Sequence, residues 1–238
     1  MIGRATLTRG EFQLMSAIVG VQALPGLNGL ALRREASPKP QDREGLLAKG
    51  LLEAGEDGRY QVNQIAGYLF SGMANCTASL RMDMAFSDAT QTRKILYLVD
   101  DAFVLVDWFG ENQISYAYMA TIPQAMGTLL SIIRDETGDG VHSEAVLADD
   151  PTARMILRAS AGNPLEVRAA VHLVTEGTEA DFEGVDVSFV VDRNGNLHRA
   201  LSNEGGTTFK SDSVEDLFGP ASEKVLAVHR ARIMAKQE

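Results

Sequence analysis

The sequence predicts an α+β protein: a central antiparallel sheet of about seven strands from two pseudo-symmetric halves, flanked by helices. Three observations carry this. Seven short segments are strand-like, several with apolar residues at every second position. Most are joined by turns too short for anything but hairpins. Segments with helix caps and helical apolar spacing bracket them.

The chain opens as a helix. Thr8-x-x-Glu11 is a capping box, Phe12, Met15 and Val19 follow on one face, and Gly20 with Leu24-Pro25-Gly26 ends it. Residues 33–42, with two prolines, read as an exposed loop. A second helix is expected from about Asp42 to Leu52, stopped by Gly55 and Asp57-Gly58. A third is expected from about Asn63 to Met73, with Ile65, Tyr68, Leu69 and Gly72 near one stripe.

From Cys76 to Phe86 the spacing becomes that of a strand, with Leu80, Met82, Met84 and Phe86 on one side and Arg81 and Asp83 on the other. Strands over 94–99, 103–109 and 114–121 follow, joined by Asp100-Asp101-Ala102 and by Gly110 to Gln113. The middle ones are apolar on both faces, so the sheet is expected to be covered on both sides. Thr121-x-x-Gln124, with Pro123 in the first turn, caps a helix containing Leu129, Leu130, Ile132 and Ile133. An acidic glycine loop, Glu136 to Gly140, leads into the second half. Asp150-Pro151 and Asn163-Pro164 each read as the start of a helix. Residues 185–192 and 197–202 form a hairpin about Asn194-Gly195, and 207–211 a third strand. Ser213-x-x-Asp216 starts a turn of helix, and Pro220 onward is a terminal helix.

The halves resemble each other. ILYLVD (95–100) matches VSFVVD (187–192) at an offset of 92, and Thr121-x-x-Gln124 matches Ser213-x-x-Asp216 at the same offset. The expected organisation is a single domain, 1–238, with an N-terminal helix and loop over 1–41 and repeat halves over about 42–136 and 150–235.

Composition narrows the function. A chain of 238 residues, 45 % apolar and 23 % charged, is globular and long enough to bury a core without metals or disulfides. The net charge of −10 argues against a nucleic-acid partner. No apolar run approaches the roughly 18–20 residues that span a bilayer, so no membrane insertion is expected. MIGRATLTRGEFQ lacks the apolar stretch of a signal peptide, and the lone Cys76 suits a reducing cytoplasm, the expected location.

Signals for catalysis are missing. The four histidines, His142, His172, His198 and His229, show no metal-binding spacing, and no G-x-S-x-G elbow or phosphate loop is present. Asp100-Asp101 reads as a hairpin turn and Asp149-Asp150 as an N-cap. Asp192 to Asn196 lacks the terminal Glu of a calcium loop. No catalytic residue, metal or cofactor is therefore assigned. The order helix, turn, helix, strand over 42–86 is that of a winged helix, but the recognition helix would lack any Lys or Arg. The candidate partner-binding residues are the aromatics Trp108, Phe109, Tyr116 and Tyr118 on neighbouring strands, and Arg230 on the basic terminal helix. Core packing is the competing role for the aromatics.

LTRGEFQLMSAIVGVQALPGL (7–27), LLAKGLLEAGEDGRYQVNQIAGYL (46–69) and the paired meanders with a closing helix resemble the EspG-type chaperones of type VII (ESX) secretion. The resemblance implies a pseudo-two-fold antiparallel sheet between helical bundles. It also implies a cytosolic, non-enzymatic chaperone or adaptor whose partner is a secreted helical protein or heterodimer. The family grips its PE–PPE substrates partly through a long loop between early strands. Here the corresponding loops, Ser87 to Arg93 and Gly110 to Gln113, are short, which points to a system without PE–PPE proteins. Two other readings stand beside it: a structural or regulatory interaction protein of the same fold, and a small hydrolase using Cys76 or a histidine.

Overall fold

The structure is a computed structural model that describes residues 4–21, 24–25, 39–55, 59–86, 91–99, 102–109, 113–119, 167–177, 182–203 and 206–235. In chain order these form β1 (Arg4–Thr8), α1 (Arg9–Val19), α2 (Pro40–Ala48), β2 (Leu52–Ala54), β3 (Tyr60–Val62), α3 (Gln64–Ala74), β4 (Ala78–Phe86), β5 (Gln91–Val99), β6 (Ala102–Phe109), β7 (Gln113–Met119), β8 (Val167–Gly177), β9 (Asp186–Asp192), β10 (Leu197–Asn203), β11 (Gly206–Ser211) and α4 (Val214–Ala235). The helix expected after Thr121, the acidic glycine loop and the starts at Asp150-Pro151 and Asn163-Pro164 lie outside the described residues.

The expected antiparallel α+β architecture is present. Among the described residues nine strands, all antiparallel, form one sheet in the order β1-β7-β6-β5-β4-β8-β9-β10-β11, and β2–β3 is a separate hairpin. The two strands beyond the expected seven are β1 and β8. β1 was hidden because it runs straight into the capping box of α1. β8 falls where a helix was expected after Asn163-Pro164. Ala169, Val171 and Leu173 face the α4 side, whereas Ala170, His172 and Glu176 take the other, so the strand does alternate, and the Asn163-Pro164 start ahead of it drew the reading to a helix.

β4 and β8 lie side by side at the centre. The meander β5-β6-β7 extends from one and β9-β10-β11 from the other, so the two halves mirror each other about the β4–β8 junction. A two-fold through that junction keeps every residue on its own face of the sheet. Ile95 packs on the side of α1 and α3, whereas Val187 packs on the side of α4. The offset of 92 therefore matches opposite faces and is one residue out. Leu96 with Phe189, and Leu98 with Val191, share the α4 side.

The helices begin as their caps dictate. Thr8 Oγ1 accepts from the Glu11 N–H at 3.2 Å, Glu11 accepts from the Thr8 N–H at 2.7 Å, and Gly20 closes α1 with φ 80°. α2 starts and ends earlier than expected. Pro40 occupies its first turn, Asp42 accepts from the Lys39 N–H at 2.8 Å, and Gly50 at φ 65° turns the chain into β2, where the sequence pointed to more helix. α3 starts at its Asn63 cap as expected, but its inward face is Ala66, Leu69, Phe70 and Met73; of the expected stripe, only Leu69 is fully buried. The β9–β10 hairpin turns on Gly195 at φ 80°, with the Gly195 N–H donating to the Asp192 carbonyl at 3.0 Å.

α4 is continuous through Pro220, where a separate helix was expected to start. Pro220 has no N–H for the Asp216 carbonyl one turn back. Arg199 of β10 supplies the missing donor, its Nη2 lying 2.7 Å from that oxygen while Nε donates to Asp212 at 2.6 Å.

Candidate interaction surface

Cys76 and three of the four histidines fall among the described residues. Cys76 lies just after α3 in the apolar cluster that joins α1, α3 and the sheet, 1 % exposed. Burial, partly offset by Arg232, pushes its thiol up to about 12, so almost none is thiolate at neutral pH and the residue is a poor nucleophile. His172 lies 2.6 Å from Asp186, and His198 lies 3.2 Å from Asp192. His229 on α4 packs its ring 6.4 Å from that of Phe103. His142 lies outside the described residues. Among the described residues no group of three or more His, Cys, Asp or Glu side chains is placed to hold a metal ion, and no helix is long and apolar enough to cross a membrane.

Asp192 organises the β9–β10 turn. Burial alone would raise its pKa. Hydrogen bonds from the Asn196 side chain and N–H, from His198 and from the Asn194 N–H outweigh that, and the carboxyl ends below its ordinary value of 3.8. A second ionic group lies on the α1/α3 side of β4, β5 and β8. Fully buried Asp83 accepts from Arg93 Nε and, at 3.2 Å, from Nη2; Arg81 Nε lies 3.0 Å away, and Arg81 also pairs with Glu176. These charges answer one another, which makes the group part of the framework.

The expected contact residues fall on two elements. Trp108 and Phe109 are on β6 and Tyr116 and Tyr118 on the adjacent β7. In register, Trp108 stands opposite Ile114, Phe109 opposite Gln113, Tyr116 opposite Val106 and Tyr118 opposite Val104. Sequence spacing thus brought the four aromatics to neighbouring strands, but their side chains lie outside the described residues. Arg230 is exposed on α4, a separate element that packs on β4 and β8.

Other apolar residues that the sequence reading did not assign to a surface face solvent. Ile65 and Tyr68, one turn apart on α3, are 64 % and 44 % exposed, and Met234 near the end of α4 is 68 % exposed. Tyr60 on β3 is also exposed, beneath the Arg43 guanidinium 4.9 Å from its ring. The signal available was that α3 is apolar nearly all round, which a helix with one buried face does not need.

No family model matches the sequence, and no curated protein matches it. Among solved structures, the chain is similar to the type VII secretion system chaperone EspG5 of Mycobacterium tuberculosis, solved in complex with a PE25–PPE41 dimer. The TM-score is 0.58 at 11 % identity, over 94 % of this chain and 96 % of that one. At that identity the likeness is one of fold.

Proposed function

We propose that this chain is a non-enzymatic, cytoplasmic chaperone or adaptor that holds a secreted helical protein or heterodimer, in the manner of type VII secretion. The observation that carries the reading is the likeness to EspG5 over nearly the full length of both chains. The solvent-facing Ile65, Tyr68 and Met234 support it, since a holding protein must keep apolar surface open until its partner docks. The acidic balance keeps such a chain soluble meanwhile. In this reading Trp108, Phe109, Tyr116 and Tyr118 on β6 and β7 and Arg230 on α4 contribute partner contacts.

The test is affinity capture from the native host with the full chain as bait, run beside a Trp108→Ala/Arg230→Glu variant. The expected result is one small helical secreted protein, near equal stoichiometry with the wild-type bait and depleted from the variant. A folded bait that retains nothing, or a partner held equally by both baits, would sink the reading or the assigned contacts respectively.

A further inference from the structure

Among the described residues the sheet ends at β1 and β11. β1 leads directly into α1, and among the described residues no strand pairs with the outer side of β11. Which backbone groups face outward there follows from a single hydrogen bond. The Asp212 N–H donates to the Leu197 carbonyl at 3.0 Å, and these two residues continue the β10–β11 register. Hydrogen-bonded pairs alternate along an antiparallel ladder, so Thr208 and Lys210 also turn their N–H and C=O groups toward β10. Thr207, Phe209 and Ser211 turn theirs outward. The β9–β10 hairpin agrees. Its Asp192–Asn196 bond directs Asn196 and His198 toward β9 and leaves Leu197 and Arg199 for β11.

We propose that the β11 edge pairs antiparallel with β11 of a second copy of this chain, the two-fold passing through Phe209. That register sets Phe209 against its copy, Thr207 against Ser211, and Thr208 against Lys210. It forms about six N–H···O bonds. It opposes no like charges and matches an aromatic pair and two hydroxyl pairs, all favourable across strands. Phe209 is half-buried beside the Ala170–Val190 cluster, so an apolar row runs to this edge and stops there; the second copy would continue it. Lys210, a type of residue that blunts open edges, selects the register, because a slip that brings Lys210 onto Lys210 opposes two cations and forms fewer bonds. A six-residue strand is a small interface, so the dimer depends on concentration. The inference stands apart from the chaperone reading.

Sedimentation equilibrium of the full chain, from micromolar to millimolar, tests it with three variants. Thr208 is exposed in the single chain. Thr208→Glu places a carboxylate opposite Lys210 of the copy and is expected to tighten the dimer on the order of tenfold; Thr208→Lys weakens it similarly. Ser211→Pro removes an outward N–H that β10 does not use, a place where an edge strand tolerates proline, and is expected to abolish the dimer with the melting curve little changed. A dimer equally tight in all three variants overturns the proposal. So does a chain that stays monomeric throughout, which would leave the edge for a strand of another protein.

Discussion

On β4 the even-numbered residues Ala78, Leu80, Met82 and Met84 pack against β8's Ala169, Val171 and Leu173 and, through Leu217 and Ala221, against α4. On the reverse of the same strand, Ser79, Arg81 and Asp83 are buried beside His172 and Arg93. One face is held by apolar area and the other by mutually satisfied charge. The two make different demands on register. An apolar face tolerates approximate matching, whereas a one-residue slip here would drive Arg81 and Asp83 into the α4 side without their partners. The central junction between the two halves therefore owes its cohesion to one face and its alignment to the other.

Breaking the charged face should have the largest effect. Asp83→Asn leaves Arg93 and Arg81 facing a neutral amide in a buried site, and chemical denaturation should show a loss of about 3–5 kcal/mol. A loss under about 1 kcal/mol would mean that water reaches the group. Replacing Asp83, Arg81 and Arg93 together with apolar residues of similar size should restore much of that stability while loosening register, read as broadened amide resonances along β4 and β8.

On the apolar face, Met82→Ala should cost about 2–4 kcal/mol, through lost transfer energy and the cavity left behind. At the hairpin outside both faces, Asp192→Asn should cost about 1–2 kcal/mol at neutral pH. Because the folded carboxyl titrates below 3.8, its contribution is complete above that value and is lost as pH falls through the lower folded value. The wild-type and variant stability curves should therefore converge in acid. Smallest of all, Ile65→Ser should change stability by no more than about 0.5 kcal/mol, since that side chain is 64 % exposed. A larger loss would show that α3 has an intramolecular partner on that side.

Several local signals in the sequence were accurate. The Thr8 capping box, the Asn63 cap, the Asn194-Gly195 turn and the meanders all rest on a few neighbouring residues, and the structure forms them. What the sequence obscured depends on tertiary contacts. β8 alternates Ala169, Val171 and Leu173 with His172 and Glu176, but the polar residues serve a buried ionic group and the Asn163-Pro164 start upstream suggested a helix. α3 has apolar residues on several sides, and only packing against α1 and the sheet selects Ala66, Leu69, Phe70 and Met73 as its inward face. The repeat was visible, but its offset was misread because β5 is apolar on both faces, Ile95 and Val99 on one and Leu96 and Leu98 on the other, so its pattern does not fix the register. For the interaction surface, hairpin length was enough to place Trp108 and Phe109 on the strand next to Tyr116 and Tyr118, though no two of the four stand directly opposite each other and Phe109 falls on the other face from Trp108. It carried no information about exposure, and Ile65 and Tyr68 were grouped with the core.

The Arg199 side chain that replaces the missing donor at Pro220 has a further consequence for the motions of the molecule. The opening turns of α4 are tied to β10 through the Asp212 carboxylate and the Asp216 carbonyl, while Leu217, Phe218, Ala221 and Val225, on both sides of Pro220, sit in the core with β4 and β8. A helix of 22 residues is thereby tied to the β10–β11 hairpin and to the centre of the sheet at once. In native-state hydrogen exchange the hairpin and the start of the helix are expected to open together with the centre of the sheet.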